Sequence, residues 1–295
     1  MKPAPFDYHR PDSVLEALEL LADEDRDVKV LAGGQSLLTL MNLRLARPDA
    51  LVDVGRLREL DRVFEDEGRL VIGALTTHRT VETHRGVAAG TPLLAAAARE
   101  VAHVGIRHRG TLGGTLAHAD PAAELPAALV CLGGTLHVES AARGRREIAA
   151  EEFFVSVFTS ALQPDELVTW VSVPTLTQAQ GWGFRELAHR PGDYALAGAA
   201  VTVRLDDAGL VAGVRGGLLS AADRTLAMTD DAAYRGGEPG PQLWHAVADD
   251  WAARAEPIGD DPEHARALCR TAVVEALADA HARALASTAP EEARR

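Results

Sequence analysis

Two glycine-rich turns carry the clearest chemical capacity in this chain, Leu31-Ala32-Gly33-Gly34-Gln35-Ser36-Leu37 and Gly110-Thr111-Leu112-Gly113-Gly114-Thr115. Glycine reaches backbone angles closed to residues with a Cβ and lets a ligand come close to bare N–H groups. Each turn can therefore cradle a phosphate, and the pair points to one diphosphate held from two sides.

The second turn sits in a longer passage, Ile106 to Pro126, that adds further groups. Gly110, Gly113, Gly114, Ala117 and Ala119 clear a corridor for an extended ligand, Thr111 offers a hydroxyl, and Asp120 and Glu124 offer acceptors suited to ribose hydroxyls. A nucleotide with both diphosphate and ribose fits this mixture. Neither standard phosphate fingerprint is present: the first strand is not followed by Gly-x-Gly-x-x-Gly, and no Gly-Lys-Ser/Thr closes a P-loop.

Both turns need elements that position them. Val28 to Leu31 reads as a short strand and Leu37 to Met41 as the opening of a helix, with Ser36 able to cap it or bond an anion. Ahead of them, Ser13 to Leu21 has amphipathic helical spacing, and Ala50 to Val54 supplies a second strand. Strands then alternate, from Leu70–Ala74 to Leu167–Pro174, with two Ala-rich helices around Pro92 to His103 and Pro121 to Leu132. A polar connector, Thr175 to Gly181, leads to three strands at Gly183–Ala188, Ala197–Leu205 and Leu210–Leu219. Helices near Pro241–Ala255 and Pro262–Ala286 follow, and Ser287 to Arg295 reads as a frayed tail.

Composition narrows the classes of function. A net charge of −13 opposes nucleic-acid binding. The N-terminus carries no secretory signal and no apolar run is long enough for a bilayer, so a cytoplasmic protein is expected. Cys131 and Cys269 are too few to hold an iron–sulfur cluster and lie in core-like contexts. His103, His108 and His118 surround the second turn with Asp120, but without helical His-x-x-x-His spacing or a thiolate they suggest no metal. Paired carboxylates fall at loops and helix starts, and no catalytic residue is assigned.

These motifs resemble those of the FAD-binding medium subunit of the molybdenum hydroxylases, the xanthine dehydrogenase and aerobic carbon monoxide dehydrogenase group. That family carries an Ala-Gly-Gly-(Gln/His)-Ser-Leu turn, here Ala32 to Leu37, and a Thr-(Leu/Ile)-Gly-Gly turn, here Thr111 to Gly114. Its Arg-x-Gly-Asp-(Tyr/Phe)-Ala segment appears as Arg190 to Ala195. The likeness covers nearly the whole chain, with departures at His108, where Asn is common, and at Thr115, where Asn or Ser usually follows.

The resemblance implies an α+β fold: a two-lobed FAD-binding domain of the vanillyl-alcohol-oxidase/PCMH type, then a smaller C-terminal domain with a three-stranded antiparallel sheet and helices. The expected boundaries are 1–176 for the first (lobes 1–56 and 57–176), 177–288 for the second and 289–295 for the tail. It implies non-covalent FAD held by Leu31, Ala32, Gly33, Gly34, Gln35, Ser36 and Leu37, by Ile106, Thr111, Gly113, Gly114, Thr115 and Ala117, and by Asp120 and Glu124. Leu162, Arg185 and Tyr194 would surround the flavin ring.

A large partner would carry the molybdenum cofactor and a small one two [2Fe–2S] clusters, in a heterohexamer. The FAD would collect electrons and pass them to a quinone, NAD⁺ or dioxygen. Two rivals remain in view: a self-contained FAD-dependent oxidoreductase of the same fold, and a nucleotide-binding assembly module.

Overall fold

The computed structural model describes residues 2–177, 179–229 and 232–288. The tail expected at 289–295 lies outside them. Near the N-terminus, β1 (Asp7–His9), β2 (Val28–Leu31) and β3 (Ala50–Asp53) form a parallel sheet in the order β1-β3-β2. Helix α1 (Val14–Leu21) starts where the Ser13 hydroxyl accepts the Glu16 amide at 3.2 Å, and it buries Ala17, Leu18 and Leu21. These meet Val52, Val54 and Leu57 in a small core. Helix α2 (Leu37–Asn42) follows the first glycine turn.

A five-stranded antiparallel sheet comes next, in the order β4-β5-β10-β6-β7. Its strands are β4 (Val63–Asp66), β5 (Arg69–Gly73), β6 (Thr135–Ser140), β7 (Gly144–Ala149) and β10 (Glu166–Pro174), the last being central. Helices α3 (His78–Thr83), α4 (Arg85–Gly90), α5 (Pro92–Glu100), α6 (Val104–Arg107), α7 (Leu112–His118), α8 (Glu124–Cys131) and α9 (Ala150–Phe153) join β5 to β6 and β7 to the hairpin β8 (Phe154–Ser156)–β9 (Thr159–Ser160). Ile72, Leu93, Leu112, Leu125, Leu136 and Phe153 are wholly enclosed in this main core.

The last sheet runs β11-β12-β13-β14, with β11 (Gln180–Leu187), β12 (Ala197–Leu205), β13 (Val211–Leu219) and β14 (Leu226–Met228). It has four strands where three were expected, because β14 is a three-residue edge strand too short to show alternation. Helices α10 (Pro241–Ala253) and α11 (Pro262–Thr288) cover one face. There the first half of β11 must carry glycine: a Cβ on Gly181 or Gly183 would sit 1.8 or 1.9 Å from carbonyl oxygens of Ala280 and Ala276. Helix α8, buried along its whole length, fills the other face. The C-terminal sheet thus rests on the helix that begins at Glu124.

Candidate functional site

The first glycine turn is a strand-to-helix bend. Gly34 takes φ +74, the region that favours glycine. Among the described residues, the amides from Gly33 to Leu37 donate to no protein acceptor until Leu38 bonds the Gly34 carbonyl at 3.2 Å. Gln35 folds its amide back on the Gly33 carbonyl at 3.1 Å. Ser36 is already helical, φ −87 and ψ −53, and its hydroxyl makes no capping bond, which leaves it for a ligand rather than for the helix.

The second glycine segment is the first turn of α7 rather than an open loop. Thr111 is its cap, the hydroxyl accepting the Gly114 amide at 3.2 Å. Residues 76–78 run antiparallel to 110–112, with Leu112 donating to the Thr76 carbonyl and His78 to that of Gly110, each at 2.9 Å. One expectation changes here. The Gly113 amide donates to the Ala74 carbonyl at 2.8 Å, and a Cβ on Gly113 would stand 2.5 Å from that of Ala74, so Gly113 serves packing and has no amide left for phosphate. Gly114, Thr115 and Ala117 lie on the accessible side of α7, while Leu116 is buried. Ile106, at the end of α6, accepts the Gly110 amide through its carbonyl at 2.8 Å.

His78 was not visible as a site residue in the sequence. Its Nε2 lies 3.0 Å from the Thr111 carbonyl and 2.8 Å from the Thr115 hydroxyl. A proton on Nε2 satisfies the carbonyl and leaves Nδ1, which is buried without a partner, as the bare nitrogen. Burial holds the ring neutral, down to about 4. The imidazole thus ties α3 to both hydroxyl-bearing residues of the second segment.

Between the two turns lies a cleft of about 480 Å³. Leu31, Ala32, Gly33 and Gly34 line one side and Thr77, His108 and Thr111 the other, with Arg10, Arg58 and Arg109 around them. Among the described residues, Arg58 and Arg109 have no carboxylate partner, and Arg10 reaches Asp53 only at 3.9 Å. Asp53 and Asp61 also line the cleft, but the unengaged amides beside the Arg58 and Arg109 guanidinium groups still form a donor set suited to a dianion such as a diphosphate. These three arginines come from separate segments, so no local motif announced them.

The remaining candidates gather past α7. Ala119, at φ +52, ends the helix and turns the chain toward Asp120, whose carboxylate accepts the Ala122 amide at 2.9 Å. Glu124 opens α8 and is only 8% exposed, and burial pushes its carboxyl up to about 8. Partial burial raises the Tyr194 hydroxyl, and the negative charges of Asp120 and Glu124 add to it, so these three share one neighbourhood. Tyr194 itself is 78% exposed, following Gly192, where φ is +84 and His103 packs close. Leu162 packs at the margin of the main core.

Arg185 is not brought to this group. As an odd residue of β11 it faces α11, and it pairs with Glu275 at 2.6 Å. Its neighbour Glu186 takes the opposite face. The three histidines also diverge: His118 stacks on Phe158 with ring centroids 4.9 Å apart, His103 meets Gly192 and His108 lines the cleft.

Residues 4–176 match the family described as the FAD binding domain in molybdopterin dehydrogenase. The chain belongs to this family. It is 46% identical to the 6-hydroxypseudooxynicotine dehydrogenase complex subunit alpha of Paenarthrobacter nicotinovorans, over 71% of this chain and 70% of that one. It is 39% identical to the carbon monoxide dehydrogenase medium chain of Hydrogenophaga pseudoflava, over 69% and 71%. The solved carbon monoxide dehydrogenase of that organism superposes with a TM-score of 0.92 at 36% identity, covering 96% of this chain and 99% of the other. Quinoline 2-oxidoreductase from Pseudomonas putida 86 gives 0.90 at 32%, covering 97% and 100%.

This chain is therefore an FAD-binding medium subunit of the molybdenum hydroxylase type, an oxidoreductase component whose cofactor is FAD. The inter-turn cleft fits that cofactor: the amides of Gly33 to Leu37, which no protein acceptor takes, and the guanidinium groups beside them suit its diphosphate. Among the described residues, no helix is long and apolar enough to cross a membrane.

Proposed function

We propose that this subunit is the electron output of a molybdenum hydroxylase. It receives electrons from [2Fe–2S] clusters of a small partner, after a large partner has oxidised the substrate at molybdenum, and delivers them to an external acceptor: a quinone, NAD⁺ or dioxygen. When bound, FAD accepts electrons singly and gives them up in pairs. The observation that carries this reading is the cleft between Gly33-Gly34 and Thr111, with its unengaged amides and unpaired arginines.

In this reading the amides of Gly33 to Leu37, with the Ser36 hydroxyl, hold the diphosphate non-covalently, and Arg58 and Arg109 neutralise it. Thr111, Thr115 and the accessible face of α7 at Gly114 and Ala117 line its path. Asp120 and Glu124 receive ribose and ribityl hydroxyls, and Tyr194 lies against the flavin ring.

Anaerobic mixing tests the role. The FAD-loaded chain, mixed with reduced small partner, should lose its flavin absorbance at a stoichiometric ratio of clusters, and the acceptor that restores the colour identifies the output. Flavin that dithionite bleaches but the reduced partner leaves oxidised would contradict the proposal.

A further inference from the structure

A threonine inside a helix commonly returns its hydroxyl to the carbonyl four residues back. Thr39 in α2, Thr83 in α3 and Thr271 in α11 do so, donating to the carbonyls of Gln35, Arg79 and Ala267 at 2.8, 2.8 and 3.0 Å. Thr115 in α7 does not. The carbonyl it would use, that of Thr111, accepts the Thr115 amide at 3.0 Å and faces His78 Nε2 at 3.0 Å, so both its lone pairs are taken. The Thr115 hydroxyl lies instead 2.8 Å from the same Nε2.

The tautomer of His78 then decides where the Thr115 proton points. The ring is 3% exposed and its Nδ1 has no partner. A proton on Nδ1 would bury an unmet donor and set the bare Nε2 against the Thr111 carbonyl oxygen. With the proton on Nε2, that one N–H is shared between the carbonyl and the Thr115 oxygen. Thr115 is thereby an acceptor toward His78, and its own proton has no acceptor among the described residues.

This free donor lies on the ligand side of α7. Thr115 is half-buried, between the exposed Gly114 and the buried Leu116. A Cβ on Gly114 would stand 3.8 Å from that of Ala32, which sets this part of α7 against the first glycine turn. Thr77, beside His78 in the chain, and Thr111 both line the cleft.

We propose that His78 is a positioning residue for the cofactor: by occupying the Thr111 carbonyl and donating to Thr115, it turns the Thr115 hydroxyl outward as a donor to an oxygen of the bound nucleotide. It acts through Thr115 rather than by touching the ligand. This assignment rests on the flavin reading of the cleft.

The test is the FAD affinity of the full chain, read from flavin fluorescence, in a double-mutant cycle. Thr115→Val and His78→Leu should each weaken binding about tenfold, and the doubly substituted chain no further, because without the imidazole the Thr115 hydroxyl returns to the Thr111 carbonyl. Thr115→Ser, and His78→Gln with a side-chain amide that reaches both acceptors, should stay within about twofold of wild type. Losses that multiply in the double variant, or wild-type affinity in Thr115→Val, would overturn the assignment.

Nitrogen-15 NMR of the histidine-labelled wild type supplies a readout that loss of packing does not mimic. The His78 resonances, identified by their disappearance in His78→Gln, should show the proton on Nε2, and a proton on Nδ1 overturns the assignment. If His78→Leu fails to fold, that spectrum and Thr115→Val decide. Wild type that holds no FAD would instead fail the flavin reading, and this inference with it.

Discussion

A Cβ on Gly33 would stand 2.3 Å from the Arg109 carbonyl oxygen and 2.8 Å from the Gly110 Cα. The two glycine turns are thus packed directly on one another, and the cleft between their lobes exists only while that contact holds. Gly33→Ala should separate the lobes, lower stability by a few kcal/mol (~2–4, as for overpacking against backbone) and abolish FAD retention. Gly34→Ala should cost only about 1 kcal/mol, because its left-handed φ is strained but the atoms it meets are flexible leucine side chains at 3.0–3.3 Å. Thermal unfolding and flavin content of the two variants should rank in that order.

Thr111 caps α7 and, in the proposed reading, also lines the path of the ligand. Thr111→Val should remove the bond to the Gly114 amide and cost about 1 kcal/mol in unfolding, with weaker FAD binding, while Thr111→Ser should retain both. Denaturant melts and FAD titration distinguish the pair.

His78 makes stability depend on acidity. Its ring falls from an ordinary 6.5 to about 4 in the fold, so between those values the unfolded chain binds a proton that the folded chain does not. The His78 contribution is fully present above pH 6.5 and is lost as pH falls toward 4, by on the order of 3 kcal/mol. His78→Gln, which can still donate to the Thr111 carbonyl without titrating, should flatten the melting temperature across that window. An equally steep profile in the variant would contradict the placement.

Glu124 has the opposite sign. Its carboxyl rises from 4.5 to about 8, so the folded chain holds the extra proton, and its contribution, complete below pH 4.5, is lost as pH rises through 8. Glu186 acts in the same direction up to about 7. Glu124→Gln should lessen the fall of the melting temperature between pH 6 and 8, measured without FAD.

The first turn was legible because a strand, two glycines and an apolar helix start are all local signals. The second was legible as a motif but not in detail, since spacing does not separate a glycine needed by a ligand from one needed by the protein. Gly113 belongs to Ala74. His78 escaped notice because its partners, the Thr111 carbonyl and Thr115 hydroxyl, are reached only through the fold. Arg10, Arg58 and Arg109 converge for the same reason. Helices α3, α4 and α6 are too short for a 3.6-residue period to show. Arg185 could have been placed from the sequence, because Gly181, Gly183 and Arg185 alternate onto the face that α11 covers.

The central claim is that a diphosphate-bearing flavin is gripped between the two turns. Flavin retained by the purified chain, after incubation with FAD, FMN or riboflavin and desalting, tests it most directly. FAD bound near one per chain, with FMN and riboflavin washed away, is the predicted result. Retention of FMN or riboflavin as well as FAD, or of no flavin at all, would contradict it.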